Sequence, residues 1–89
     1  MADAAETFVA ECFWPGVSSA DVDELDRRVR AATAEIGPGQ PIQYLGSILI
    51  REDEVVFCQF EGDADAVRET AERAGVPFDR ILATRRSVG

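Results

Sequence analysis

Residues 42–61 read IQYLGSILIREDEVVFCQFE, and this stretch decides the fold of the chain. Two runs of β-branched and aromatic residues flank an acidic tip, a pattern that predicts a β-hairpin. A turn at Glu52 and Asp53, or a four-residue loop closed by Ile50 and Val55, gives the same register. That register makes four facing pairs: Arg51–Glu54, Ile50–Val55, Ile48–Phe57 and Tyr44–Glu61.

The two faces of the predicted hairpin differ in composition, because successive side chains of a strand point to opposite faces. One face is almost purely apolar and is expected in the core: Leu45, Ser47, Leu49, Val56, Cys58 and Phe60. The other face is apolar but ends in a polar cluster: Tyr44, Gly46, Ile48, Ile50, Val55, Phe57, Gln59 and Glu61. We therefore expect a partner to cover the second face, and its polar end could hold a ligand.

A strand and a helix are predicted before the hairpin. Residues 6–14 alternate, which places Phe8, Ala10, Cys12 and Trp14 towards the core and Thr7, Val9, Glu11 and Phe13 on the opposite face. Ser18 and Asp21 then have capping-box spacing, which predicts a helix start. The helix carries a stripe of Val22, Leu25, Val29, Ala32 and Ile36, and residues 37–39 (Gly-Pro-Gly) end it.

A second helix and a last strand follow the hairpin. Asp63 is the predicted N-cap of this helix, and Gly75 is the predicted residue beyond its C-terminus. Its apolar stripe is made of small residues, so we expect it to pack close to the sheet: Ala64, Val67, Ala71 and Ala74. Residues 79–84, centred on Ile81 and Leu82, predict the last strand.

The resulting order, β-α-β-β-α-β, predicts one α+β domain with a ferredoxin-like sandwich fold. We expect a four-stranded antiparallel sheet in the order 4-1-3-2 with both helices on one face. The domain spans residues 1–89, with residues 1–5 as a flexible tail. The helices leave one face bare, and it would expose Val9, Phe13, Ile48, Ile50, Val55 and Phe57. Because soluble monomers rarely expose so large an apolar patch, we expect a homodimer joined face to face, as in dimeric α/β-barrels.

The charge balance excludes some partners. The chain has 17 acidic and nine basic residues, a net charge of −8, and it contains no histidine. An acidic chain without a basic patch disfavours nucleic acid and anionic membranes, although Phe13, Trp14 and Phe57 could stack on bases. No apolar run is long enough to span a membrane, and the acidic N-terminus lacks a signal sequence, so we expect a cytoplasmic protein.

Three segments carry a resemblance to a known family: Tyr44-Leu-Gly-Ser, Val56-Phe-Cys-Gln-Phe-Glu and Ala74-Gly-Val-Pro-Phe-Asp-Arg-Ile. From Val9 through the last strand, the chain resembles the small bacterial proteins of domain-of-unknown-function family 4242, which includes an actinobacterial nickel-binding protein. The resemblance implies a dimeric ferredoxin-like fold and, for one branch, a nickel site. Histidine would be the expected nickel ligand and is absent. Glu11 and Glu61 match acidic positions of the family and are the candidate metal ligands.

Four residues form the candidate site on the bare face: Glu11, Tyr44, Gln59 and Glu61. Two carboxylates, an amide and a phenol could bind nickel or another divalent cation through oxygen. The same carboxylates could act as acid and base, because an apolar environment and a like charge raise one carboxyl pKa. Alternatively, Glu61 ends its strand in water and Glu11 pairs with an arginine of the partner chain.

Cys12 and Cys58 are predicted on the helix side of neighbouring strands. They could be a soft-metal or redox pair, but buried cysteines more often act as small apolar residues. Arg80, Arg85 and Arg86 could clamp a carboxylate or phosphate, or simply solvate an edge strand.

Two classes of function remain open. The first is a homodimeric binding protein that holds a metal ion or small ligand at the dimer seam. The second is a cofactor-independent enzyme, such as an isomerase, cyclase or oxygenase, using Glu11, Tyr44 or Glu61 as acid or base. A structural subunit without a ligand is a third reading.

Overall fold

The computed structural model describes residues 6–85, so the expected tail at residues 1–5 lies outside the described part. It contains four strands and two helices in the predicted order: β1 (Glu6–Phe13), α1 (Ser19–Ile36), β2 (Ile42–Ile50), β3 (Val55–Gly62), α2 (Ala64–Ala74) and β4 (Arg80–Thr84). Neither helix is long and apolar enough to cross a membrane.

All strand pairs are antiparallel, and the sheet order is β2-β3-β1-β4. This is the predicted order, and the ferredoxin-like fold is confirmed. The central strands are therefore β1 and β3, which are joined along their whole length from Glu6 opposite Gly62 to Phe13 opposite Val55.

The core lies between the sheet and the two helices. Alternation along β1 buries Phe8, Ala10 and Cys12, as the sequence predicts. The helices contribute most of their predicted stripes, in which Leu25, Val29, Val67 and Ala71 have no exposed surface. The expectation for Ala64 is wrong, because Ala64 is exposed and α2 buries Ala66 and Thr70 instead. Burial of these apolar side chains, at about 25 cal/mol per Å², is the main stabilising contribution of this layer.

Both helix starts have the predicted caps. The Ser18 hydroxyl accepts the backbone N–H of Asp21, and the Asp21 carboxylate accepts the backbone N–H of Ser18. Asp63 accepts two backbone N–H groups at the start of α2, and Gly75 ends that helix with φ at 72°. These contacts satisfy amides that a helix end leaves without intrahelical partners.

A β-bulge at Leu45 changes the predicted hairpin register. Ile50 pairs with Val55 and Ile48 with Phe57 as expected, but beyond Gly46 the register shifts, and Tyr44 pairs with Phe60 instead of Glu61. The extra residue fits because Gly46 has φ at 112°, which other residues rarely adopt.

The shift exchanges the faces of two side chains. The expectation that Tyr44 lies on the bare face with Gln59 and Glu61 is wrong, because the bulge turns Tyr44 into the core at 8% exposure. The expectation that Leu45 lies in the core is also wrong, since it is 37% exposed. A one-residue insertion reverses every side chain beyond it, which is the physical reason for both errors.

Gly62 lets the start of β2 approach the end of β3. Its φ is 151°, and a Cβ there would overlap the carbonyl oxygen of Pro41 and lie 2.9 Å from the Cα of Ile42. The Pro41 carbonyl also accepts the backbone N–H of Asp63. The close approach of Pro41 and Ile42, together with the positive φ, therefore requires a residue without a side chain at position 62.

We predict that Gly62→Ala destabilises the fold by about 2 kcal/mol or more, because it adds backbone strain and a steric overlap. Gly39→Ala is the matched control, since its Cβ would make only an ordinary contact 3.8 Å from the Ile36 carbonyl. Urea unfolding followed by circular dichroism measures both variants. Equal stability of the two variants would contradict the proposed role of Gly62.

Candidate functional site

The face of the sheet opposite the helices, called here the open face, carries many apolar side chains. Four of its large apolar residues are conspicuously exposed: Phe13 (58%), Ile48 (49%), Leu45 (37%) and Ile50 (37%). Val9, Val55, Phe57 and Leu82 are half-buried on the same face. Except for Leu45, which the bulge adds, and Leu82 on β4, these are the residues predicted to form the dimer interface.

Glu11 lies on the open face and forms an ion pair within its own chain. Its Oε1 accepts a hydrogen bond from Nε of Arg80 at 2.5 Å, and the two residues face each other across β1 and β4. The carboxylate raises the pKa of the Arg80 guanidinium, first through this hydrogen bond and then through its charge. The expected partner of Glu11 was an arginine of a second chain, but Arg80 of the same chain already neutralises it.

Glu11 and Glu61 do not converge. Glu11 faces Phe57 across β1 and β3, whereas Glu61 faces Thr7, four residues further along. At about 3.3 Å per residue the two positions are roughly 13 Å apart. A cation needs oxygen ligands within about 2.6 Å, so these carboxylates of one chain cannot share an ion.

Gln59 and Glu61 stay together on the open face, two residues apart on β3. Gln59 lines a cleft of about 200 Å³, and Glu61 follows it at the end of the strand. The other residues that line the cleft are Thr7, Phe8, Val9, Leu45, Phe60, Thr84 and Arg85. The cleft therefore combines apolar walls with hydroxyls, an amide and one guanidinium.

The hydroxyls of the cleft are held by the pairing of β1 with β4. Thr84 donates to the Thr7 hydroxyl at 2.8 Å, and Thr7 donates to the backbone carbonyl of Thr84 at 3.0 Å. This arrangement leaves the lone pairs of Thr84 as acceptors and fixes the rotamers of both side chains. Arg85 follows immediately and brings the one positive charge of the lining.

Tyr44 belongs to a second polar group on the helix side of the sheet. Its hydroxyl donates to the Asp26 carboxylate at 2.5 Å, and the Ser47 hydroxyl donates to the same carboxylate at 2.9 Å. The ring packs on Phe60 with centroids 5.1 Å apart and lies under the guanidinium of Arg30. Burial, followed by the hydrogen bond to Asp26, raises the pKa of Tyr44 well above its usual range.

Asp26 and Ser47 open onto a groove of about 280 Å³ between α1 and β2, which Ser19, Val22, Asp23, Leu49 and Arg51 also line. We call it the α1–β2 groove. It lies on the opposite side of the sheet from the cleft. Tyr44 therefore cannot act as an acid or base in the cleft, because the sheet separates them.

Cys12 and Cys58 are fully buried free thiols on the helix side of β1 and β3, as predicted. A hydrogen bond to Cys58, followed by burial, raises the pKa of Cys12. The same hydrogen bond is the main influence on Cys58 and lowers its pKa.

Sequence reasoning missed Asp26 and the cleft. Gly46 was the available signal for the bulge, because an isolated glycine within a strand pattern often marks one. Asp26 had no such signal, since an acidic residue on a helix usually faces water. The cleft joins residues from both ends of the chain, and only the pairing of β1 with β4 brings Thr7 to Thr84.

Comparison with known proteins gives the family. The family model described as "Nickel responsive protein SCO4226-like" matches residues 8–83 of the chain. The chain belongs to this SCO4226-like family. The resemblance that the sequence suggested is confirmed.

A solved structure supports the fold of this family member. The crystal structure of SCO4226 from Streptomyces coelicolor A3(2) is 20% identical in sequence and superposes with a TM-score of 0.74. The match covers 92% of this chain and 99% of that chain. At this identity the likeness shows the shared fold alone. None of the curated protein sequences matches the chain.

The family's description names nickel, so we compared the side chains of one chain with the ligands that a nickel ion needs. Within residues 6–85, no group of three or more His, Cys, Asp or Glu side chains could hold a metal ion. The whole sequence lacks histidine, and the two carboxylates expected as ligands lie far apart. The described residues of a single chain therefore do not fit a nickel site.

Tyr44 is the one tyrosine of the chain, so its ionisation can be measured directly. We predict that absorbance at 295 nm shows no phenolate near pH 10 in the native protein, whereas the unfolded chain titrates at about pH 10. Because the native pKa is the higher one, stability is complete below pH 10. It then falls by up to about 1.4 kcal/mol per pH unit above it.

Asp26→Asn is the control for this titration, because it removes the negative acceptor and leaves the ring in place. The pKa of Tyr44 should move towards its ordinary value in this variant. Native absorbance that rises at about pH 10 while circular dichroism still reports the fold would contradict the buried position of Tyr44.

Proposed function

We propose that this member of the nickel responsive family is a homodimeric binding protein. Its ligand is a small molecule with a short apolar body and an anionic end, held in the cleft on the open face. The observation that carries this proposal is the lining of the cleft, where apolar walls meet fixed hydroxyls, an amide and a guanidinium. Binding sites for small molecules combine these features.

The charge of the cleft supports an anionic ligand. The protein carries a net charge of −8, which repels anions over most of its surface. Arg85 nevertheless lines the cleft, and the amide N–H groups of Gln59 can donate hydrogen bonds to a carboxylate. A guanidinium binds a carboxylate in a bidentate geometry that an ammonium cannot provide.

The exposed apolar residues of the open face support the homodimer. Phe13 and Ile48 are about half exposed, and the half-buried Val9, Val55 and Phe57 continue the same surface. A second copy that packs face to face would remove this surface from water and would close the cleft from above. The ion pair between Glu11 and Arg80 also lowers the cost of burying either charge at such a seam.

A divalent cation at the seam is the alternative ligand that the family description favours. Since the carboxylates of one chain do not converge, such a site needs Glu61 and oxygen donors from both copies. The enzymatic alternative has less support. Tyr44 lies beneath α1, and Glu11 forms an ion pair with Arg80. Among the described residues, only Glu61 therefore remains near the cleft as a possible base.

We predict that hexanoate binds the protein with a dissociation constant of about 1 mM, from roughly 0.5 kcal/mol per non-hydrogen atom. Hexanamide, which has the same pentyl chain without the charge, should bind at least tenfold more weakly. Arg85→Gln should weaken the binding of hexanoate but not that of the uncharged compound. Arg27→Gln, on the outer face of α1, is the matched control. Ligand-observed NMR titration measures all of these.

A different set of results would overturn the anionic ligand. Equal binding of hexanoate to the Arg85→Gln and Arg27→Gln variants would show that the guanidinium is not used. Native mass spectrometry with Ni²⁺, Ca²⁺ and Zn²⁺ tests the alternative. One tightly held cation per dimer that is lost in Glu61→Gln would favour the metal site instead.

We predict that light scattering gives twice the mass of one chain at micromolar concentration. Ile48→Asp places a charge in the proposed seam and should raise the dimer dissociation constant at least 100-fold, or about 3 kcal/mol. Ala20→Asp is the control, because it adds the same charge at an exposed position in the first turn of α1. A wild-type monomer at this concentration, or equal masses for the two variants, would contradict the dimer.

A further inference from the structure

The geometry of the buried thiols points to a second binding site. We propose that Cys12 and Cys58 together bind one soft monovalent metal ion, Cu(I), on the helix side of the sheet. This site is separate from the cleft, because successive residues of β1 and β3 point to opposite faces. It does not rest on the proposed function.

The strand register places the two thiols side by side. Ala10 pairs with Cys58 and Cys12 pairs with Val56, so the cysteines are diagonal neighbours on the same face of the central strands. Neither cysteine has any exposed surface, and each thiol alters the pKa of the other.

The spacing suits a bridging ion better than a disulfide. Diagonal neighbours in antiparallel strands have Cα atoms about 7–8 Å apart, whereas disulfides need about 4.4–6.8 Å. A two-coordinate ion instead holds two sulfurs at about twice a metal–sulfur distance of roughly 2.3 Å. The central strands would have to approach each other to form a disulfide, but not to hold an ion.

The donor set selects the kind of metal. Two sulfurs without imidazole suit a soft ion with low coordination number, and thiolates favour Cu(I) among the biological metals. Zn²⁺ and Ni²⁺ need more ligands, and no third His, Cys, Asp or Glu of residues 6–85 completes a set here. The two thiols would therefore select Cu(I) over Zn²⁺ and Ni²⁺, because two ligands are enough only for Cu(I).

A chain of polar groups links the thiols to the surface. Ser47 pairs with Cys58 across β2 and β3 and lines the α1–β2 groove. The Tyr44 hydroxyl interacts with Cys58 and donates to Asp26, which lines the same groove. An ion in the groove is therefore one side chain away from Cys58, although the thiols are buried.

Binding of Cu(I) would release two protons. Both thiols lose their protons, each sulfur forms one bond to Cu(I), and the oxidation state of the metal does not change. The product carries a single negative charge in the core, and Tyr44 would have to give up its hydrogen bond to Asp26 in order to donate one to the Cys58 sulfur. The two protons leave through the groove, where Asp26 and water can accept them. Affinity must therefore rise with pH, by up to 100-fold per unit while both thiols remain protonated.

The test uses reduced protein and Cu(I) supplied from a chromogenic chelator under anaerobic conditions. Native mass spectrometry should show one copper per chain, and X-ray absorption should show copper bound by two sulfurs. Cys12→Ala and Cys58→Ala should each weaken binding at least 100-fold. Thr70→Ala is the matched control, because Thr70 is also fully buried but lies on α2 and carries no sulfur.

Several outcomes would overturn the proposal. Retention of all of the copper by the chelator would exclude the site, as would a double alanine variant that binds copper as tightly as the wild type. Spectra that show oxygen or nitrogen ligands in place of the two sulfurs would also exclude this site. Rapid formation of a Cys12–Cys58 disulfide with diamide would refute the spacing argument. The X-ray absorption result needs no variant, so it decides the matter even where an alanine variant fails to fold.

Discussion

Two helices can cover only one face of a four-stranded sheet, and most features of this protein follow from that constraint. The covered face buries Ala10, Cys12, Cys58 and Phe60 completely. The other face keeps Phe13 and Ile48 about half exposed. The apolar open face therefore does not contribute to the hydrophobic core of the single chain.

The charged residues are distributed to match this asymmetry. The helices carry ion pairs at helical spacing on their outer surfaces, such as Arg68 with Glu72 and Arg73 with Glu69. Such exposed pairs contribute at most about 0.5 kcal/mol each, so their main effect is to keep that surface solvated. Among the described residues, the ion pair on the sheet is that of Glu11 with Arg80. It neutralises a charge on a surface that is otherwise mostly apolar.

Alternation in the sequence was enough to predict the fold and the faces of β1, because that strand is regular. It was not enough for β2, where Gly46 permits a bulge that reverses Tyr44 and Leu45. The candidate site failed for a related reason. Glu11 and Glu61 were placed on the correct face, but the face alone does not give distance along the strands. Their separation follows only from the pairing of Glu11 with Phe57 and of Glu61 with Thr7.

The alternation of side chains along β3 also limits which donor atoms can bind the same metal ion. The oxygen donors near the cleft, Gln59 and Glu61, and the sulfur donor Cys58 alternate along the same strand. They therefore lie on opposite faces, and no single ion can be bound by Cys58 together with Gln59 or Glu61 of the same chain. A face-to-face dimer would bring together only the open faces, so a metal site at its seam would use oxygen ligands. Ni²⁺ binds well to imidazole and thiolate, and neither is present on the open face among the described residues. A nickel response in this chain would therefore depend on carboxylates of two copies, with the geometry of the dimer selecting the ion in place of a dedicated ligand set.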